Sequence, residues 1–254
     1  MDILVKKAAE ILRKSKYTVA FTGAGISVES GIPSFRGEDG LWHTYRAEDL
    51  ATPDAFSRDP QLVWEWYDWR RGLIASCLPN AAHQALADME RHFDDWTLIT
   101  QNVDGLHQMA GSRNVVELHG SIWRMRCTQE CQPAWEDRTV PLPAARGFLP
   151  SCPTCGSLAR PDLVWFGELL PGEVLAAAKA AVQRCQVMLV VGTSAVVQPA
   201  ASLPLVALRR GAYVVEINPQ PTPLSDAVHE VIREPAASAL PHWWQTWQRR
   251  VSVG

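Results

Sequence analysis

Short runs rich in apolar and β-branched residues recur at 18–21, 96–100, 115–118, 187–191 and 213–217, and helical periodicities fill 81–92, 173–184 and 200–209 between them. Strands alternating with helices predict an α/β fold in which a parallel sheet is covered on both faces. Ligands of open α/β sheets bind beyond the carboxyl ends of the strands. The residues that follow the predicted strands read "TGAG", "TQNVDGLH", "HGS", "GTS" and "NPQ". They are small and polar, able to hydrogen-bond without filling space.

Two segments break the alternation. Residues 36–80 are rich in tryptophan and charge, and 120–164 carry four of the six cysteines together with several prolines. Both read as inserts that build a smaller lobe. At the C-terminal end, Leu240, Trp243, Trp244, Trp247 and Val251 fall at the spacing of one helix face, which predicts a final helix packed on the core. Ile3, Ala8, Ile11 and Leu12 predict a first helix at the other end.

The stretch "FTGAGISVESGIPSFRG" follows directly on the first strand. Glycine accepts positive φ and lets another backbone or a ligand approach, so Gly23 and Gly25 suit a tight turn into a helix N-terminus, a setting that favours phosphate. The usual dinucleotide fingerprint needs a third glycine where this chain has Val28, and no acidic residue ends a second strand about twenty residues on. By itself the loop is either a phosphate cradle of another kind or an ordinary glycine-rich turn.

Composition narrows the class. Hydrophobic content of 47% with 20% charged residues describes a globular chain, and a net charge of −3 supplies no global field for nucleic acid or anionic membrane. No apolar run reaches the length needed to span a bilayer. Cytoplasmic location is expected, because six cysteines are too sparse for a disulfide framework. Cys127, Cys131, Cys152 and Cys155 instead form C-x3-C and C-x2-C, the pairing of a four-thiolate zinc site that leaves no position open for substrate. The alternative is four unligated loop cysteines. Cys77 and Cys185 stand alone in helical contexts and read as buried small hydrophobes.

Taken in order, "GAGISVESGIPSFRG", "TQNVDGLH", "ELHGS", the paired cysteines, "VWFGE", "GTSAVVQPA" and "INP" resemble the sirtuin family of NAD-dependent protein lysine deacylases. The resemblance implies a Rossmann-like large domain from 1–35, 81–119 and 165–254, a helical insert at 36–80 and a zinc-binding module at 120–164. NAD as co-substrate and an acyl-lysine protein or peptide would meet in the cleft between the lobes, with one structural zinc. Carried over by position, Gly23, Ala24, Gly25, Ser34, Phe35 and Arg36 would surround NAD, with 33–36 as a mobile cover. Gln101, Asn102 and Asp104 match the nicotinamide and ribose side. Gly192, Thr193, Ser194, Asn218 and Ala236 match the adenosine side. Val164, Phe166, Gly167, Glu168 and Val197 match the two edges between which a substrate peptide adds as a strand, a mode that reads backbone more than sequence.

His119 matches the catalytic histidine, and an imidazole near its ordinary pKa can serve as general base at neutral pH. For a lone histidine, a ring that merely satisfies core polar groups would be the favoured reading. In the implied reaction the acyl oxygen attacks the nicotinamide-ribose carbon and nicotinamide leaves. His119 then deprotonates a ribose hydroxyl that attacks the imidate carbon, giving free lysine and O-acyl-ADP-ribose.

Tyr67 and Arg70, three apart in "WEWYDWRR", share a helix face, and with Ala51 they resemble the sirtuin subgroup that removes succinyl, malonyl or glutaryl groups. A guanidinium can grip a carboxylate bidentately while the phenol donates a further bond. Alternatively Arg70 is exposed and paired with Asp68. Acetyl-lysine hydrolysis, protein ADP-ribosylation on the same NAD site and a non-enzymatic NAD sensor are the other readings. No direct nucleic-acid contact and no membrane contact are expected, since 120–164 hold no dense basic run. A monomer is the default expectation.

Overall fold

The computed structural model describes residues 15–35, 41, 46–142 and 147–251. The opening helix expected before Ser15, and Arg36, lie outside the described residues. The strands of the large sheet are β1 (Thr18–Thr22), β2 (Trp96–Thr100), β3 (Val115–Glu117), β7 (Val187–Val191), β8 (Tyr213–Ile217) and β9 (Glu230–Ile232). Between β3 and β7 in the chain come β4 (Gly120–Cys127), β5 (Trp135–Glu136) and β6 (Ala159–Leu163). Helices are α1 (Ala47–Leu50), α2 (Pro53–Arg58), α3 (Pro60–Ala75), α4 (Ala81–His92), α5 (Leu106–Met109), α6 (Gly172–Arg184), α7 (Leu203–Arg209) and α8 (Ala236–Val251).

The six-stranded sheet has the order β3-β2-β1-β7-β8-β9, and every pair in it is parallel. This is the expected α/β fold in its doubly wound, Rossmann-like form. The first half of the chain builds outward from β1 on one side and the second half from β7 on the other, so the order reverses between them. A crevice opens at such a switch point, beyond the carboxyl ends.

Because successive side chains alternate across a strand, the sheet feeds two cores. Ala20, Leu98, Leu189 and Val215 pack with Leu86 and Met89 of α4 and with Leu240 and Trp243 of α8. Val19, Phe21, Ile99, Val190 and Val214 face Ala178 and Val182 of α6 and Leu203 and Ala207 of α7. The tryptophan face of the last helix is core, as its spacing predicts. The 200–209 helix begins as a short 3-10 turn, Ala200–Ser202, before α7. Strand β9 carried no legible signal: three residues long, it sits in the charged stretch "HEVIRE" and pairs only with β8.

A third core belongs to the smaller lobe. Phe56, Trp64, Trp66 and Ile74 of α2 and α3 pack against Ile122, Trp123, Met125 and Trp165 around an antiparallel sheet ordered β5-β4-β6. Trp64 donates its indole N–H to the Ala159 carbonyl at 2.9 Å, which pins α3 to β6. Pro161 is accommodated because β6 is an edge strand.

The two halves of the large sheet meet through glycines. Gly25 donates its N–H to the Gly192 carbonyl at 2.8 Å, and Gly23 donates to the carbonyl of Val191 at 3.0 Å. A β-carbon on Gly25 would lie 2.7 Å from the Gly192 carbonyl oxygen and 2.8 Å from its α-carbon. These are backbone atoms that cannot step aside. Gly25→Ala is therefore expected to cost roughly 1–3 kcal/mol of stability through overpacking. Gly172→Ala, where an added β-carbon meets nothing within 4 Å, is the neutral control. Thermal unfolding of both variants checks this, and equal midpoints would contradict it.

Candidate active site

A cleft of about 950 Å³ separates the carboxyl edge of the large sheet from the smaller lobe. It is lined by Gly23, Ala24, Gly25, Ser34, Phe35, Gln101, Asn102, Gly192, Thr193, Ser194, Asn218 and Ala236 from the loops after β1, β2, β7, β8 and β9. Ala51, Tyr67, Arg70, Val164, Phe166, Gly167, Glu168 and Val197 line its other walls, with His119 between the two groups. Asp104 sits behind Asn102, buried, on a small recess that it shares with Ser27, Phe35 and Arg70. Residues more than a hundred positions apart in the chain thus converge on one space.

Side chains tie the strand ends together. Gln101 donates through Nε2 to Thr193 Oγ1 at 2.9 Å, and Asn218 donates through Nδ2 to the Thr193 carbonyl at 2.9 Å. Three strand ends, those of β2, β7 and β8, then form one polar floor.

His119 leaves β3 and is followed by Gly120, whose φ of 80° only glycine adopts without strain. A β-carbon at 120 would also strike the Asp162 carbonyl at 2.1 Å. The His119 Nδ1 lies 3.0 Å from the Gln101 carbonyl. A carbonyl only accepts, so Nδ1 carries the proton and Nε2 keeps its lone pair. Burial pushes the imidazole below its ordinary value, while the bond to Gln101 pulls the other way. The ring is therefore neutral at physiological pH, with Nε2 able to accept a proton.

Behind the cleft lies a network that the sequence reading missed. Ser27 donates to Asp104 Oδ2 at 2.8 Å and accepts from Asn102 Nδ2 at 3.2 Å. The Asn80 N–H points at His83 Nδ1 in a capping box, so the opposite nitrogen, 3.4 Å from Ser27 Oγ, is the protonated one. Burial holds His83 down at about 4, and His107, its ring tilted against that of His83 with centroids 4.9 Å apart, is held well below its ordinary value by burial and then by His83. Both rings are neutral and act as fixed dipoles. Burial raises Asp104, opposed by its bonds from Leu106 N–H and Ser27 and by the charge of Arg70. The Asn80-x-x-His83 capping box was the one local signal that could have pointed to this shell.

On the smaller lobe, Trp165 donates its indole N–H to Tyr67 Oη at 2.8 Å, leaving the phenol proton free to donate elsewhere. Burial pushes this phenol up to about 12, so it stays protonated. Arg70, one helical turn along α3, is buried, with its guanidinium carbon 4.7 Å from the Phe35 ring centroid and 5.0 Å from that of Trp66. Asp68 does not pair with it. That carboxylate accepts the Leu142 N–H at 2.6 Å. Glu168 is committed to Arg160, at 2.6 and 3.0 Å, and accepts the Trp165 N–H at 2.8 Å, which fixes the 164–168 edge.

The four paired cysteines gather their sulfurs within 4.8 Å of one another. Three of the separations are 3.4–3.6 Å. A tetrahedron with zinc–sulfur bonds of about 2.3 Å has edges of about 3.8 Å, so the donor set fits a closed structural zinc. The C-x3-C turn accommodates this geometry, with Gln129 N–H donating to Cys127 Sγ at 3.3 Å and Gln132 Nε2 to Cys152 Sγ at 3.4 Å.

Residues 23–199 match the Sir2 family. The chain belongs to that family. It is 55% identical over 229 residues to NAD-dependent protein deacylase 1 of Caldanaerobacter subterraneus subsp. tengcongensis, covering 90% of this chain and 92% of that one. It is 52% identical over 236 residues to NAD-dependent protein deacylase 1 of Archaeoglobus fulgidus, covering 92% and 94%. Among solved structures, a Sir2 homolog–NAD complex superimposes with a TM-score of 0.91 at 49% identity, covering 97% of this chain and 94% of the other. A Sir2–p53 peptide–NAD+ complex gives 0.85 at 33% identity, covering 98% and 99%.

A general-base role for His119 predicts that His119→Ala lowers turnover by about 10²–10⁴ with folding intact. The same role predicts an acid limb of the wild-type rate profile below pH 6.5, because burial lowers the pKa of His119. Steady-state rates across pH check both. A limb above 6.5, or a variant with most of its rate, would contradict the assignment. In the zinc module, Cys152→Ser should lower the metal content and the thermal midpoint together, since such a site contributes folding free energy. Zinc analysis well below one ion per active wild-type chain would exclude a structural role.

Proposed function

We propose that the protein removes acidic acyl groups, of the succinyl, malonyl or glutaryl kind, from protein lysines, with His119 as general base. The chain is an NAD-dependent protein deacylase, and the proposal concerns which acyl group it prefers and which residues act. Arg70 carries the reading: a buried guanidinium on the wall of the cleft, with no hydrogen bond or ion pair to any described residue. A buried charge left in this state is costly unless something pairs with it. Burial lowers its pKa from 12.5, with Tyr67 and Asp104 partly offsetting, yet an arginine remains charged.

A carboxylate on the end of an acyl chain supplies the missing partner. Arg70 grips it, the Tyr67 hydroxyl donates to it, and Ala51, whose carbonyl is held by the Phe166 N–H at 2.9 Å, leaves room for the chain. The peptide lies extended between the 164–168 and 194–197 segments, both of which line the cleft. The acyl oxygen attacks the ribose carbon as nicotinamide departs toward the recess of Asn102 and Asp104. His119 Nε2 then accepts the proton of the ribose hydroxyl that attacks the imidate carbon. Water completes release of the lysine and of O-acyl-ADP-ribose.

Arg70→Met should cost roughly 2–5 kcal/mol of binding to the acidic acyl group, because the carboxylate loses its partner in a desolvated pocket. An acetyl group carries no such charge. The expected result is a sharply raised KM for succinyl-lysine and a much smaller change for acetyl-lysine, with Tyr67→Phe showing a milder form of the same selectivity. Matched peptides assayed on wild type and both variants decide it. Equal loss on both peptides from Arg70→Met would reduce Arg70 to a structural residue of α3 and end the acidic-acyl reading.

A further inference from the structure

The wall of the cleft beyond β8 is built from a segment poorly able to hold itself. Residues 218–223 read "NPQPTP" and all line the cleft. Proline has no N–H to donate, so alternate residues of this wall make no main-chain donation. The carbonyls of Asn218 and Gln220 find their donor elsewhere, at the end of β9. Arg233 Nη1 lies 3.1 Å from the Asn218 carbonyl, 3.2 Å from that of Gln220 and 3.0 Å from Glu216 Oε2, while Nη2 donates to Ser225 Oγ at 2.7 Å. One guanidinium thus ties the start of the wall to Ser225, just beyond its end.

Glu216 anchors the arrangement from inside. It is a buried residue of β8, and its carboxylate accepts the Thr222 and Ser225 hydroxyls as well as Arg233. The Thr222 N–H donates to Ser225 Oγ at 2.8 Å, closing the ring. None of these groups reaches the cysteine cluster, His119 or the acyl pocket. What they set is the shape of one wall.

We propose that Arg233, backed by Glu216, is a positioning residue for the dinucleotide: it pre-forms the proline-rich wall against which the adenosine half of NAD rests. This rests on the reading that the Gly192–Asn218 side of the cleft takes the adenosine. An unpinned wall has more conformations to lose on binding, so affinity falls while the chemistry at His119 does not change.

The test compares Arg233→Met, Arg233→Lys and Ser225→Ala with wild type, using ADP-ribose as the binding probe and NAD and an acyl-lysine peptide in steady state. Arg233→Met is expected to weaken ADP-ribose and raise KM for NAD by on the order of tenfold, the scale of losing charged hydrogen bonds. The value of kcat at saturating NAD and KM for the peptide stay within about twofold, since neither reflects adenosine binding. Arg233→Lys recovers part of the loss, because an ammonium keeps the charge but not the fork. Ser225→Ala gives a smaller change of the same kind and carries the test if Arg233→Met does not fold. Unchanged ADP-ribose affinity in the folded variants, or a parallel fall in kcat and in affinity for both substrates, would overturn the proposal. Ser194→Trp separates the two levels: it fills the adenosine side, and undiminished ADP-ribose binding there would mean that the underlying placement is wrong. Weakened binding in Ser194→Trp with none in Arg233→Met would refute the role of Arg233 alone.

Discussion

Gly25 donates its N–H to the carbonyl of Gly192 at 2.8 Å, and the crevice takes its shape because two main chains can come this close. The loops after β1 and β7 are brought together where the strand order reverses. Side chains there would hold the loops apart and fill the space a ligand needs. The glycines of the first loop are spent largely on that loop-to-loop contact, so the bare backbone facing the cleft follows from a packing requirement. Gln101 and Asn218 then reach Thr193 from either side, and the floor becomes one hydrogen-bonded unit.

Around this floor the polar groups are of two kinds. Ser27, His83, Asn102 and Asp104 hydrogen-bond to one another, and burial keeps both His83 and His107 uncharged, so this shell carries its polar groups within the protein. Arg70 is the opposite case. Its charge is buried against Phe35 and Trp66 with no bonded partner among the described residues, an arrangement that a core under selection for stability alone would not keep. The smaller lobe tolerates it because Trp64, Trp123 and Trp165 bury much apolar surface in the same core as Trp66.

The alternation of strands and helices was readable from periodicity, since apolar runs of five residues separated by amphipathic helices leave few other folds open. The core-facing tryptophans of α8 were readable for the same reason. The short β9 was not, because three residues carry too little pattern to separate a strand from a loop. Nor were the wall at 218–223 and its support by Arg233: proline and glutamine in a loop announce a turn, and only the fold shows what lies across it.

By itself the sequence determined the parallel sheet, the small polar strand ends, the paired cysteines and the histidine that ends β3, because each depends on local spacing or residue type. Tertiary structure alone decided that Arg70 is buried and not bonded to Asp68, that Ser27 and His83 stand behind Asp104, and that the glycines meet one another. Those outcomes depend on which surfaces are brought face to face by residues far apart in the chain. Burial, which sets the charge state of His119, His83 and Tyr67 alike, is a property of that packing and not of any stretch of sequence.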